Sequence, residues 1–211
     1  YTLSDTLSLH DALPICCYPP RMISPGHAVR CSFHEYIAHE RASPTRNEHR
    51  HGHIVPIAGG SPEHSALIAS VTTHLSVQVR GGRCRVHMSD LRIRVAATGL
   101  ATYPDVAVVC GPWQRDPDDE HTVTNPVVLV EVLSSTAAYD RGEKLEHYKL
   151  IPTLRACVLV ALDRRELEVW HRDPDGPWSR ALVGPGQRAE LPAILATLDV
   201  DALFADAAEP R

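Results

Sequence analysis

The chain has 211 residues, of which 44% are hydrophobic and 22% are charged, and its formal net charge is −5. This length suits one ordinary domain, and the apolar share is large enough for a core, which excludes wholesale disorder. The negative charge argues against a nucleic-acid coat protein but leaves a local basic groove open. Because no apolar run reaches the roughly 18 residues of a membrane span, we expect no membrane partner.

The first residues are not expected to belong to the fold. The segment TLSLHDALPI (6–15) is similar to the translation of a common short-read sequencing adaptor, and it lacks the basic start and long apolar core of a signal peptide. We therefore expect residues 1–21 to be a non-native or disordered extension. Residues 22–205 are expected to form a single domain, and residues 206–211 a tail.

The cysteines favour a reducing compartment. None of the six forms a CxxC pair, and Cys110 and Cys157 lie in apolar runs that are typical of buried strands. We therefore predict reduced, mostly buried thiols in a cytoplasmic protein, although the even count leaves disulfides open.

Helical patterns come first along the chain. SFHEYIAHERAS (32–43) predicts a short helix, because its first residues have the spacing of a capping box. HIVPIA (53–58) predicts a short strand. SPE (61–63) predicts the start of a second helix, with a hydroxyl N-cap and a proline at N1, and this helix ends at the glycine pair 81–82.

Strand patterns follow. CRVHMSDLRIRV (84–95) alternates loosely, TYPDVAVVC (102–110) is compact, and PVVLVEVL (126–133) is apolar on both faces. The acidic segment GPWQRDPDDEHTVTN (111–125) predicts a solvated loop. Residues 140–150 have the composition of a helix that a following proline ends.

The last third of the chain sets the fold class. RACVLVALD (155–163) and RRELEVWHR (164–172) predict a hairpin, and residues 191–208 carry weak strand-then-helix signals. The strand–helix–strand order across 126–163 implies a crossover and a parallel pair. We predict an α/β (α+β) fold with a mixed central β-sheet flanked by helices.

Two carboxylates, Asp105 and Glu131, lie in otherwise apolar strands. An unpaired buried carboxylate costs several kcal/mol or shifts its pKa until it is neutral, and two on neighbouring strands repel each other. A hard divalent ion, Mg²⁺ or Mn²⁺, removes both objections. The alternative is that each acid lies at a strand end and meets solvent or an arginine such as Arg92 or Arg94.

Lys144 is a candidate cationic partner for these acids. It shares one stripe of the predicted helix with Tyr148 and Ile151, and the two apolar residues direct that stripe toward the sheet. The alternative is an exposed Asp140–Lys144 pair at i,i+4. Helical spacing alone leaves both interpretations open.

Five segments carry a resemblance to a known family: NEHRHGHIVPIAGGSPEHS, SDLRIRV, TYPDVAVVC, NPVVLVEVLS and AYDRGEKLEHYKLIPTLRACVLVALD. In this order they resemble the Uma-type (DUF820-like) family of restriction endonucleases, within the PD-(D/E)XK nuclease superfamily, over residues 32–205. The resemblance implies a restriction-endonuclease-like core and an Mg²⁺-dependent endonuclease that hydrolyses phosphodiester bonds in DNA, with Mn²⁺ as an alternative ion.

The resemblance also implies roles for particular residues. Asp105 and Glu131 would hold the ion. The superfamily lysine normally lies two positions after the glutamate, where this chain has Leu133, and the resemblance assigns its role to Lys144 on the following helix. Glu48 matches an N-terminal acid that can complete the metal shell.

Two further residues have supporting roles by the same resemblance, namely Asp90 and Tyr148. The chain departs from the family at His51-Gly52-His53, where Asp-Gly-Glu is usual, and at the shortened connection SSTAAYD (134–140). Both departures keep open a catalytically inactive protein with a nuclease fold, which only binds nucleic acid or a protein partner.

Two other interpretations concern ligands. Five arginines could flank DNA phosphates, with Arg92 and Arg94 as the main candidates, although such residues on exposed strand faces more often serve ordinary solubility. The run EHRHGH (48–53) could hold zinc or nickel through its histidines, although solvated loops with this composition are more common. A homodimer is a further expectation.

Overall fold

The computed structural model describes residues 30–57, 59–134, 136–173 and 176–209, so the expected extension 1–21 lies outside the described residues. The helical segments are α1 (Phe33–Ala42), α2 (Pro62–Gln78), α3 (Ala137–Tyr139), a π-helical segment (Asp140–Lys144), α4 (Leu145–Lys149), a 3-10 turn (Pro192–Ile194) and α5 (Val200–Asp206). None of the described helices has the length and apolar composition needed to cross a bilayer.

The described residues also form fourteen strands. They are β1 (Asn47–Arg50), β2 (His53–Pro56), β3 (Cys84–Met88), β4 (Arg92–Val95), β5 (Leu100–Thr102), β6 (Val106–Cys110), β7 (Arg115–Asp116), β8 (Asp119–Val123), β9 (Pro126–Leu133), β10 (Ala156–Ala161), β11 (Glu166–Arg172), β12 (Trp178–Val183), β13 (Arg188–Leu191) and β14 (Ala196–Asp199).

The first two helices begin where their sequences predict. The Ser32 side chain accepts a hydrogen bond from the backbone of Glu35, and the Glu35 carboxylate accepts one in return from the Ser32 backbone. Ser61 caps α2 in the same way by accepting from the backbone of His64. These side chains satisfy N–H groups that a helix N-terminus otherwise leaves unpaired.

The mixed α+β fold is confirmed, but the strands divide between two six-stranded sheets and a two-stranded one. The main sheet has the order β12-β11-β10-β9-β6-β3, and within it β9 and β10 are the parallel pair that the crossover predicts. The second sheet has the order β2-β1-β5-β4-β8-β7. The main sheet carries the site.

The expectation of a solvated loop across 111–125 is wrong, because β7 and β8 form there. Asp119 and Asp116 are buried and accept hydrogen bonds from Arg92 and Arg94 on the second sheet. The acidic composition makes this segment resemble a loop in the hydropathy pattern. In the structure the charges of the two aspartates are neutralised by arginines more than twenty positions away along the chain.

Residues of β9 alternate between two cores. Val128, Val130 and Val132 pack with α2, whereas Leu129 and Leu133 pack with α4 on the opposite face of the sheet. Because side chains of a strand alternate with a period of two, Glu131 points to the α4 face. The site therefore lies between the main sheet and the helical crossover.

The expectation of reduced thiols is wrong for one pair, because Cys84 and Cys110 form a disulfide. The antiparallel register of β3 and β6 places these two residues directly opposite each other. Cys157 remains a buried thiol, whereas Cys16 and Cys17 lie outside the described residues. A pairing between neighbouring strands carries no CxxC signature, so the spacing does not reveal it.

Reduction of this disulfide is expected to lower the free energy of unfolding by about 3 kcal/mol, since the bond closes a loop with a sequence separation of 26. Guanidinium unfolding with and without a reductant measures the effect. A Cys84→Ala/Cys110→Ala variant is the control and should not respond to reductant. Equal midpoints for the wild type in both conditions would contradict the assignment.

Candidate functional site

A cavity of about 660 Å³ opens where the ends of β6 and β9 meet the helical crossover. Four carboxylic acids line it, together with the cationic side chains of Lys144 and Arg50 and the imidazole of His64. The acids are Glu48, Asp105, Glu131 and Asp140. All three acids that the sequence analysis assigned to the metal therefore face one space.

Strand register explains why Asp105 and Glu131 meet. In the antiparallel pair of β6 and β9, Val106 lies opposite Val130, so Asp105, one residue before β6, lies beside Glu131. The Asp105 carboxylate is held by the backbone N–H of Val132, which donates to Oδ2 across 2.7 Å.

Lys144 is buried and its ammonium group lies among three of the acids. Its Nζ is 2.9 Å from Glu131 Oε1, 3.4 Å from Glu48 Oε1 and 3.5 Å from Asp140 Oδ1. The i,i+4 pair with Asp140 exists, but it is buried beside Glu131, so the alternative of an exposed pair is wrong. The shortened connection 134–140 does not keep the lysine from the sheet.

The crossover helix is kinked two residues before this lysine. Gly142, within the Asp140–Lys144 turn, has non-helical dihedrals of φ −100° and ψ −106°, so the chain changes direction there between two helical segments. Tyr148, on the next turn, donates from its hydroxyl to Glu131 Oε1 across 2.5 Å.

The buried acids and the lysine perturb each other. Burial raises the pKa of Glu131 to about 8, and the Asp105 and Asp140 charges also raise it, against the opposing effect of Lys144. Burial lowers the pKa of Lys144, but the charges of Glu131, Glu48 and Asp140 outweigh burial and raise it overall. The lysine therefore stays charged, whereas burial favours the protonated form of the Glu131 carboxyl at neutral pH unless a further cation lies beside it.

The donor set fits a hard divalent ion. One oxygen each of Glu48, Asp105 and Glu131 is used in the contacts described above, and the other accepts no hydrogen bond from the residues that the structure describes. Free carboxylate oxygens that line a cavity are the ligands that Mg²⁺ and Mn²⁺ prefer. Glu48 and Glu131 also contact the Lys144 ammonium, so an ion held by these acids would share them with the lysine.

Sequence comparison identifies the family to which the chain belongs. The model of the Uma2 family, described as "Putative restriction endonuclease", matches residues 33–202. The chain belongs to this family. The match spans every element that lines the cavity, from β1 through the crossover helix.

Two relatives and one solved structure are similar to this Uma2 protein. The uncharacterized Synechocystis protein slr1290 is 35% identical over 171 residues, which cover 81% of this chain and 89% of that protein. The uncharacterized Synechocystis protein sll1609 is 30% identical over 145 residues, covering 68% and 82%. A crystal structure of a "putative nuclease belonging to DUF820" from Anabaena variabilis has a TM-score of 0.63 at 19% identity, covering 79% of this chain and 93% of that one, which shows the shared fold.

Three residues that contact the acids or the lysine of the Uma2 site received no role in it from the sequence. His64 Nε2 lies 3.4 Å from Asp105 Oδ2 and 2.9 Å from the carbonyl of Val132, and the hydrogen bond with Asp105 raises the pKa of the imidazole against the opposing effect of burial. Thr102 donates to Glu48, and Asp140 accepts from Thr136 as well as pairing with Lys144. All three lay within the segments quoted for the family resemblance, but only Asp140 was considered, as an exposed partner of Lys144.

Other predicted residues lie away from the cavity. Asp90 is exposed and paired with Arg46 at the surface. Arg92 is buried, and Arg94 contacts Asp116 and Asp118, so these arginines neutralise acids of the second sheet. We therefore do not carry them forward as phosphate ligands.

The histidine-rich run does not gather as the sequence suggested. His49 is buried, and its ring nitrogens contact the carbonyl groups of Cys31 and Gly99. Glu48 faces Lys144 instead of its histidine neighbours. A metal site made of residues 48–53 alone is therefore wrong.

Proposed function

We propose that this Uma2 protein is an Mg²⁺-dependent endonuclease that hydrolyses phosphodiester bonds in DNA, with Mn²⁺ as an alternative ion. One observation carries the proposal, namely a buried lysine paired with Glu131 beside Asp105 in an acid-lined cavity. A glutamate that only stabilised the fold would not require two further acids and a lysine in an open cavity.

Asp105 and Glu131 are the proposed ligands, with Glu48 to complete the shell. When bound, a hard divalent ion supplies Lewis-acid stabilisation of charge on the phosphate and lowers the pKa of water. The protein contributes preorganisation, since Val132 and His64 orient Asp105, and Tyr148 orients Glu131.

Lys144 is the proposed catalytic lysine. Its ammonium is a compact point charge beside Glu131, where it can bind a phosphate oxygen or orient the attacking water. An acid-rich cavity without an ion repels the DNA backbone, so the same charges that bind the ion make cleavage depend on it.

Cleavage of supercoiled plasmid and single-stranded DNA with Mg²⁺, Mn²⁺ or a chelator tests the proposal. We expect cleavage only with a metal ion, and a loss of about 10³-fold in Glu131→Gln, because a site that stabilises the transition state by several kcal/mol is disrupted. The matched control is Glu168→Gln, which alters another buried strand glutamate that does not itself line the cavity.

Two outcomes would contradict the proposal. Cleavage that persists in Glu131→Gln at the wild-type rate would place the activity elsewhere. DNA binding without metal-dependent cleavage by the wild type would instead support the inactive, binding-only alternative that the shortened connection left open.

A further inference from the structure

Three metal-ligating side chains gather outside the cavity lining. They are His51, Glu143 and His147, and their ligand atoms all lie within 4.8 Å of one another. None of the three lines the acid-rich cavity. Among the described residues, no other three potential metal-ligating side chains lie this close together.

Distant parts of the chain supply the three groups. His51 lies in the turn between β1 and β2, where its φ of 51° and the φ of 78° at Gly52 make the tight left-handed turn of a two-residue hairpin. Glu143 and His147 are spaced i,i+4 across the junction of the π-helical segment and α4. Residues with this spacing lie on the same face of a helix.

The separations suit a small tetrahedral ion. Glu143 Oε1 is 3.5 Å from His147 Nε2, close to the roughly 3.3 Å between two ligands that are each about 2.0 Å from zinc. Glu143 Oε1 is 2.7 Å from His51 Nε2, so that contact must open by about 0.6 Å to reach the same separation. The His51 side chain is exposed enough to move.

One ligand is already oriented by a neighbour. Nδ1 of His147 lies 2.7 Å from the hydroxyl of Thr98, which can accept a hydrogen bond from it. With Nδ1 as the donor to this hydroxyl, Nε2 keeps its lone pair for a metal ion. A hydrogen bond of this kind on the second ring nitrogen is the usual support of a metal-bound histidine.

We propose that His51, Glu143 and His147 bind a transition-metal ion of the Zn²⁺ class. Two imidazoles and one carboxylate favour zinc or nickel over Mg²⁺, which prefers oxygen ligands alone. The exposed position leaves the fourth coordination site to water. This site is independent of the proposed nuclease activity, and it ties the β1–β2 turn to the helix that carries Lys144.

Zinc titration of the full chain without a histidine tag, in excess Mg²⁺, tests the site. Calorimetry and thermal unfolding measure binding, and the excess Mg²⁺ competes with Zn²⁺ for the carboxylates of the acid-lined cavity. We expect a rise in Tm of about 5–10 °C at a hundredfold excess of Zn²⁺ over its Kd. His51→Ala and His147→Ala should each weaken binding by about 100-fold or more, and Thr98→Val by about 10–100-fold.

The matched control is His121→Ala, which removes an exposed histidine beside Glu120 that lies outside the group. It should bind Zn²⁺ as the wild type does. The proposal is overturned if Zn²⁺ leaves the wild-type Tm unchanged, or if His51→Ala and His121→Ala bind it equally well. Neither result depends on whether the protein cleaves DNA.

Discussion

Lys144→Met is expected to lower the free energy of unfolding by about 3–5 kcal/mol in the presence of a chelator. The substitution retains the length and apolar stem of the side chain but removes the ammonium that contacts Glu131, Glu48 and Asp140. Removal of one partner from a buried ion pair leaves uncompensated charge in the interior. Denaturant unfolding of the two proteins measures the difference.

The same variant should separate metal binding from cleavage. Without the ammonium, Mg²⁺ no longer shares Glu131 with Lys144, so we expect tighter Mg²⁺ binding and partial recovery of stability when Mg²⁺ is added. Cleavage should nevertheless fall by about 10²-fold or more, since a charge positioned at the reacting phosphate is lost. Calorimetry with Mg²⁺ and the plasmid assay test both effects.

Lys149→Met is the matched control for this variant. Lys149 lies on α4 and pairs with Glu146 at the surface, an interaction worth about 1 kcal/mol or less. It should change neither Mg²⁺ affinity nor cleavage. Weaker Mg²⁺ binding by Lys144→Met than by the wild type would show that the acids do not bind the ion where the lysine lies.

Arg92→Met is expected to destabilise the second sheet by about 3–5 kcal/mol. Arg92 donates to Asp119 across 2.8 Å and to Thr122 across 2.7 Å, and the Asp119 side chain is fully buried. The variant therefore leaves a buried carboxylate without its internal partner. An Arg92→Met/Asp119→Leu double variant should recover part of the loss, because it buries no unpaired charge.

The control for this pair is Arg41→Met. Arg41 contacts the other oxygen of Asp119, but its side chain is 62% exposed, so we expect a loss of about 1 kcal/mol or less. Urea unfolding of all four proteins measures the differences. Equal losses of stability in Arg41→Met and Arg92→Met would show that burial of the Arg92–Asp119 pair does not determine its contribution.

The loss in Arg92→Met should depend on pH. Burial raises the pKa of Asp119, but hydrogen bonds from Thr122 and Arg92 and the nearby arginine charges outweigh burial and lower it overall. A carboxyl whose pKa is lowered by folding stabilises the protein above its unfolded pKa, and this contribution is lost as the pH falls through the folded value. The stability difference between wild type and variant should therefore narrow below about pH 4.

Local patterns predicted the elements around the site well. The helix caps at Ser32 and Ser61, the parallel pair of β9 and β10, and the inward stripe of Lys144 and Tyr148 are all present in the structure. The caps and the stripe depend on residues within about one turn of helix, and the parallel pair depends on the order of neighbouring elements along the chain. Such short-range geometry is what hydrophobic periodicity and capping motifs report.

Contacts between distant segments were not predictable in this way. Strands β7 and β8 were mistaken for a loop because their acids are neutralised by Arg92 and Arg94 on another strand. The disulfide of Cys84 with Cys110 depends on which strands become neighbours. Neither pairing can be recognised from the residues adjacent to it in the sequence.

The sequence by itself determined that Asp105 and Glu131 need a positive partner, since charged groups in apolar strands cannot remain unpaired. Only the tertiary structure decided what surrounds them, namely Lys144 among three carboxylates, with His64 oriented toward Asp105. It also brought His51 and Glu143 together across 92 positions of the chain. The physical reason is that charge pairing and metal binding depend on distance in space, which the packing of sheet against helix sets.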